Sequence, residues 1–234
     1  MGNWLSIAAA VFLAAMVLYG HYKGFIRLAV SAVSLIATLF IVQTAMPHVT
    51  NYLKNNTGVY QFIVEGMNSV AGLEEESDVE EPSAQRKIIE ELELPKQLKE
   101  SLLENNNYEV YNVLGVNTFK EYISGYLANS ILNIAGFLIM FLLVFAILHF
   151  ITAWLDLVAR LPILSGINKI AGALLGAVEG LFILWLLCLL VTMFAGTGLG
   201  KIIITQIEAS TWLTYIYEHN LLGNLVMLAI KNVI

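Results

Sequence analysis

Apolar residues along this chain gather into four long runs and several short periodic ones. Trp4–Gly20 carries no charge, and Leu28–Met46 is charge-free between Arg27 and Pro47. A third run, Ile131–Leu155, ends at Asp156 and Arg160, and a fourth, Ile170–Ala195, holds one charged residue, Glu179. At ~1.5 Å rise per residue each run is long enough, with its flanks, to cross a hydrocarbon core of ~30 Å as a helix. The pattern predicts spans at about 3–22, 26–46, 129–155 and 169–195. The first two are joined by so few residues, around Gly20, Lys23 and Gly24, that they form an antiparallel hairpin over residues 1–50. Trp4–Gly20 lacks a basic segment before it and is followed by HYKGF, not by a small-residue cleavage pattern, so it reads as a retained span.

Between the second and third runs the period shortens and the polarity rises. Residues 51–118 read as an insert of short amphipathic helices. Ile88, Ile89 and Leu92 share helical spacing, and Pro95 restarts a helix with Leu98, Leu102 and Leu103 on one face, closing at Asn105–Asn107. Helices this short do not bury a core alone, so their leucines are either a packing face or a docking site. Thr118 and Glu121 form a capping-box pattern, and Phe119, Tyr122, Ile123, Tyr126 and Leu127 lead at helical spacing into the third span, giving a membrane segment over 119–195. Residues 196–234 read as an interfacial amphipathic tail, with Ile202, Ala209, Leu213 and Ile216 along one line. Leu221–Ile230 is too short to span. The fold class is therefore all-α: a polytopic membrane protein with four transmembrane helices, a small extracytoplasmic helical insert and an interfacial C-terminal helix.

Composition sharpens this. Of 234 residues 58% are hydrophobic and 13% charged, whereas soluble domains carry roughly 25% charge. Residues 47–128 hold six Lys/Arg and fourteen Asp/Glu, so the insert is strongly acidic, and no stretch has the basic density of a nucleic-acid binder. The run Glu74–Glu81 has six acids in eight residues but no EF-hand spacing, and reads as a solvated linker. The single cysteine, Cys188, rules out an internal disulfide and reads as a buried small hydrophobe. Lys23 and Arg27 in the first connection, and Arg160 and Lys169 in the third, place those connections in the cytoplasm and both termini and residues 47–128 outside. Lys23 and Arg27 are either plain topology determinants or contacts for anionic lipid headgroups.

Candidate chemistry is sparse. Gly172, Gly176 and Gly180 lie four apart and form a side-chain-free groove suited to close helix packing, within the chain or across a homodimer. Glu179 stands beside that groove. A carboxylate at membrane depth is costly and marks a functional candidate: a proton or cation site, a partner for Arg27, Arg160 or His149, or a packing hydrogen bond. Asn133 and His149 read as inter-helix hydrogen-bonding groups. No zincin, nucleophile-elbow, P-loop or dinucleotide signature is present, and no catalytic, cofactor or metal residue is expected.

The order of several motifs resembles the colicin V production protein family. Gly20-x-x-Lys23-Gly24-Phe25 after a first apolar span is similar to that family's first connection. Leu161-Pro162, Gly166-Ile167-Asn168 and the Gly172–Gly176–Gly180 series look like its loop and last membrane helix. Ser210, Tyr217 and Asn220 look like its post-membrane segment. The resemblance covers about 1–50 and 125–230. Similar proteins often carry a basic or apolar residue where Glu179 stands. The resemblance implies a four-helix protein of the bacterial inner or plasma membrane, without catalytic residues, connected with toxin (bacteriocin) production or export and with envelope homeostasis. Its expected partners are the lipid bilayer, a second copy, and envelope or export proteins. The alternative from the residues alone is a small oligomeric channel or transporter using Glu179.

Overall fold

A computed structural model describes residues 3–55, 57–71, 81–154 and 166–231; Glu74–Glu80, Asp156, Arg160 and Pro162 lie outside them. Among the described residues every regular element is an α-helix. In order they are α1 (Trp4–Lys23), α2 (Phe25–Asn55), α3 (Thr57–Ala71), α4 (Pro82–Glu91), α5 (Lys96–Glu104), α6 (Tyr108–Leu114), α7 (Phe119–Trp154), α8 (Ile167–Met193), α9 (Gly198–Glu208), α10 (Thr211–Glu218) and α11 (Leu221–Lys231). Four of them, α1, α2, α7 and α8, are long and apolar enough to cross a membrane. At 31 and 36 residues, α2 and α7 extend ~46 Å and ~54 Å, well beyond a ~30 Å hydrocarbon core.

The chain divides into two compact units. One comprises Met1–Ala45, Phe137–Cys188 and Gln206–Leu222; the other comprises Met46–Gly136, Leu189–Thr205 and Gly223–Ile234. The helices α2, α7, α8, α9 and α11 each contribute to both.

In the first unit, Asn3 caps α1 by accepting from the Ser6 amide at 3.0 Å. Helix α1 ends at Gly24, whose φ of 80° and ψ of 159° lie in a region open essentially to glycine. That one residue turns the chain directly into α2. Along the buried side of α2, Ser34 and Thr38 donate to the carbonyls of Val30 and Ser34, so these hydroxyls are satisfied inside their own helix. Phe141 of α7 packs on Phe182 of α8, ring centroids 5.5 Å apart.

The second unit explains why α2 passes Pro47. A proline inside a helix removes a hydrogen bond and crowds the preceding turn. Here the residues around it are locked by packing. Met46 and Thr50 are buried, and Gly136 of α7 leaves room for Leu53 and Val49 of α2, whose methyl carbons lie 3.4 Å from where a Gly136 Cβ would stand. The helix therefore runs nine residues beyond the apolar stretch that ends at Met46.

The acidic insert folds onto the first turns of α7. Pro82 sits at the start of α4, and Pro95 precedes α5, whose end is closed by Asn105. A further short helix, α6, is capped by Asn107 and stopped by Gly115 in a left-handed conformation, φ 68°. The capping box at α7 forms in both directions. The Glu121 amide donates to Thr118 Oγ1 at 3.2 Å, and the Thr118 and Asn117 amides donate to Glu121 Oε2 at 3.3 and 2.9 Å. Ile89, Leu98 and Leu102 from α4 and α5 pack with Val110 of α6 against Phe119, Tyr122, Ile123 and Tyr126 of α7. Tyr122 is fully buried, and its hydroxyl donates to the Leu102 carbonyl at 2.6 Å. The leucine face of the insert is thus a packing face against α7.

The tail departs from the single stripe expected over Lys201–Glu218. The helix breaks at Ala209–Ser210, between α9 and α10. Ile207, Leu213 and Tyr217 are buried, while Ile202 is exposed. The physical cause is Ser210, which takes an extended backbone at the start of α10 and directs its hydroxyl away to another helix.

Candidate functional site

The residues singled out by sequence converge mainly on one junction in the first unit. Gly172, Gly176 and Gly180 of α8 face α1. A Cβ built on Gly172 would stand 2.8 Å from Gly24 Cα and would also strike the Gly20 carbonyl. One built on Gly176 would meet the Met16 carbonyl and come within 3.0 Å of Gly20 Cα, and one on Gly180 would stand 2.9 Å from Met16 Cβ. The contact is reciprocal: a Cβ on Gly20 would strike the Gly172 carbonyl and lie 2.9 Å from Gly176 Cα. Two backbones therefore touch with no side chain between them, a contact that packing and weak backbone interactions stabilise in lipid.

At one end of the junction stands Asn168, in the first turn of α8. Its side chain fills the space beside Gly24, and its Oδ1 accepts from the Ile26 amide at 3.2 Å. One of the orphan amides at the start of α2 is thus satisfied from a residue 142 positions away. Asn168→Ala is expected to lower stability by about 1 kcal/mol, and Asn168→Asp, which keeps an acceptor near a helix N-terminus, to recover most of it. Thermal unfolding in detergent measures both. Lys23 extends over the Tyr19 ring, 5.5 Å from its centroid, while Phe25 and Arg27 are exposed.

Glu179 lies one position before Gly180 and turns toward other helices. Ser31 of α2 hydrogen-bonds its carboxyl, and His149 of α7 acts on it electrostatically. The Oε1 atom is sealed from solvent and has no hydrogen-bond partner among the described residues. His149 itself is exposed and stacks on Phe145, centroids 5.9 Å apart.

The post-membrane segment binds back to this unit. Ser6 of α1 accepts from the Ser210 hydroxyl at 3.2 Å and from the Trp212 indole at 2.8 Å, and Asn3 donates to the Gln206 carbonyl at 2.7 Å. Trp185 of α8 donates to the Ile216 carbonyl at 3.2 Å and, through its own carbonyl, accepts from Asn220 at 2.9 Å. Sequence reasoning singled out Ser210 but missed Asn3, Ser6 and Trp185. The available signal was the indole N–H of Trp185, a donor inside an apolar span that needs an acceptor when buried.

Asn133 belongs to the second unit and takes no part in this junction. Its Oδ1 accepts from Thr50 at 2.5 Å, and its amide donates to the Asn129 carbonyl. Asn129 donates in turn to the Gly125 carbonyl and, at 3.4 Å, to Tyr60. Burial pushes the Tyr60 phenol above its ordinary value. Elsewhere in this unit Lys201 pairs with Glu93 and holds that carboxyl below the usual range.

Four membrane-length helices, joined by backbone contacts and buried amide and hydroxyl pairs, define a small all-α polytopic membrane protein. Residues 110–220 match the family model described as Colicin V production protein. Over that stretch the chain is similar to the colicin V production protein family. The match spans α7 to α10, with Asn168, the three glycines, Ser210 and Asn220, and lies outside the Gly20–Phe25 motif. No curated protein and no solved structure matches the chain.

Proposed function

We propose that this protein is a non-enzymatic accessory of the bacterial inner or plasma membrane that acts in toxin (bacteriocin) production and export, and in envelope homeostasis, through protein partners. The observation that carries the reading is the family match over residues 110–220, which covers the two later membrane helices and the tail bound to them. The match supports a role in toxin production; the export step, the envelope role and the partners are the proposal. In this reading both termini and residues 47–128 face outward, Lys23 and Arg27 lie at the cytoplasmic surface, and the tail follows the membrane interface.

Deletion of the protein is expected to reduce bacteriocin release, with restoration by the full chain. Crosslinking and pull-down from native membranes is expected to recover the same envelope or export proteins repeatedly. Unchanged release on deletion, together with transport by the purified protein alone in proteoliposomes, would replace this reading with a channel or transporter. Orientation is tested by cysteine labelling in intact cells: Ser77→Cys should label from outside and a cysteine beside Gly24 should not.

A further inference from the structure

The toxin-production reading leaves Glu179 unused. It stands twelve residues from Ile167 and fourteen from Met193, so ~18 Å and ~21 Å of helix separate it from the two ends of α8. Every neighbour one turn away on its own helix, Leu175, Gly176, Phe182 and Ile183, is uncharged. Helix α1 presents Met16 and Leu13 to the adjoining Gly180. Helix α2 presents Ser31 to the carboxyl, and α7 presents His149. One carboxyl oxygen is buried with no partner. An ionised carboxylate leaves that oxygen's lone pairs unmet in a dry setting, whereas a protonated one becomes a donor as well as an acceptor. His149 is exposed and five residues from Trp154, the end of α7, so ~8 Å of helix connects it to that end.

We propose that Glu179 is a proton-binding site inside the membrane, with Ser31 as its hydrogen-bond partner. In the loading step an O–H bond of a hydronium ion breaks, leaving water, and an O–H bond forms on the Glu179 carboxylate. Ser31 serves both states: its hydroxyl donates to the carboxylate and accepts from the carboxylic acid. The site is independent of any protein partner and of the toxin-production reading.

Dicyclohexylcarbodiimide, an apolar reagent that adds to protonated carboxyls, tests this on the full-length protein in vesicles of a phosphatidylethanolamine–phosphatidylglycerol mixture. The expected result is an acylurea adduct on the peptide carrying Glu179, absent in Glu179→Gln. Adduct yield should fall about tenfold for each pH unit above its midpoint. Absence of the adduct from Glu179, or a yield unchanged between about pH 5 and about pH 9, overturns the site. Peptide mapping on the wild-type chain decides the point even where a variant does not fold.

Discussion

Replacing Gly176 by leucine is expected to leave no folded protein. The Cβ alone would strike the Met16 carbonyl and crowd Gly20, so the four added carbons have no space unless α1 and α8 separate. Overpacking a core commonly costs 1–3 kcal/mol, and here the obstacle is backbone, which yields less than a side chain, so a cost above ~3 kcal/mol is expected. Separation would also break what the contact aligns: the Asn168 bond to Ile26 and the Ser6 bonds to Ser210 and Trp212. Gly176→Ala should already destabilise, with leucine far worse. The contrasting change is Gly66→Ala in α3, where nothing lies within 4 Å of the added carbon. That change should stabilise by ~0.5–1 kcal/mol, since glycine inside a helix carries an entropic penalty relative to alanine. Thermal unfolding and size-exclusion profiles in detergent separate the two. A Gly176→Leu protein with wild-type melting and size would show that α1 and α8 do not meet here.

Tyr122→Ala should release the insert from α7. Tyr122 is the centre of the second unit's packing, with Tyr111 and Tyr126 rings 4.9 and 5.9 Å away and its hydroxyl on the Leu102 carbonyl. Losing a buried aromatic side chain costs ~3–5 kcal/mol. The short helices α4 to α6 have no independent source of that stability. Limited proteolysis should then cut within residues 82–114 at protease levels that leave the wild type whole. Tyr122→Phe isolates the hydroxyl and should cost only ~1–3 kcal/mol by leaving the Leu102 carbonyl without that donor. Equal protection of Tyr122→Ala and wild type would mean that the insert is held by something other than this cluster.

What was legible in the sequence was local. Run length decided the number of membrane helices, because a ~30 Å apolar solvent accepts few lengths of helix. Residues a few positions apart decided the capping box at Thr118–Glu121 and the restart at Pro95, because cap chemistry acts within one turn. The spacing of Gly172, Gly176 and Gly180 marked a face of α8. Tertiary structure alone decided what that face meets. Gly20 and Met16 are apolar residues in a featureless span, and only the rotation and depth of α1 make their backbone the partner. The same holds for Asn168 with Ile26, Ser6 with Trp212 and Thr50 with Asn133, pairs separated by 142, 206 and 83 residues. Pro47 shows the converse: locally it argues for a helix end, yet α2 continues because Met46, Val49, Thr50 and Leu53 are held against α7. A helical repeat constrains a residue's neighbours on its own helix, and the free energy that selects neighbours on other helices comes from shape and buried hydrogen bonds that exist only once the helices have packed.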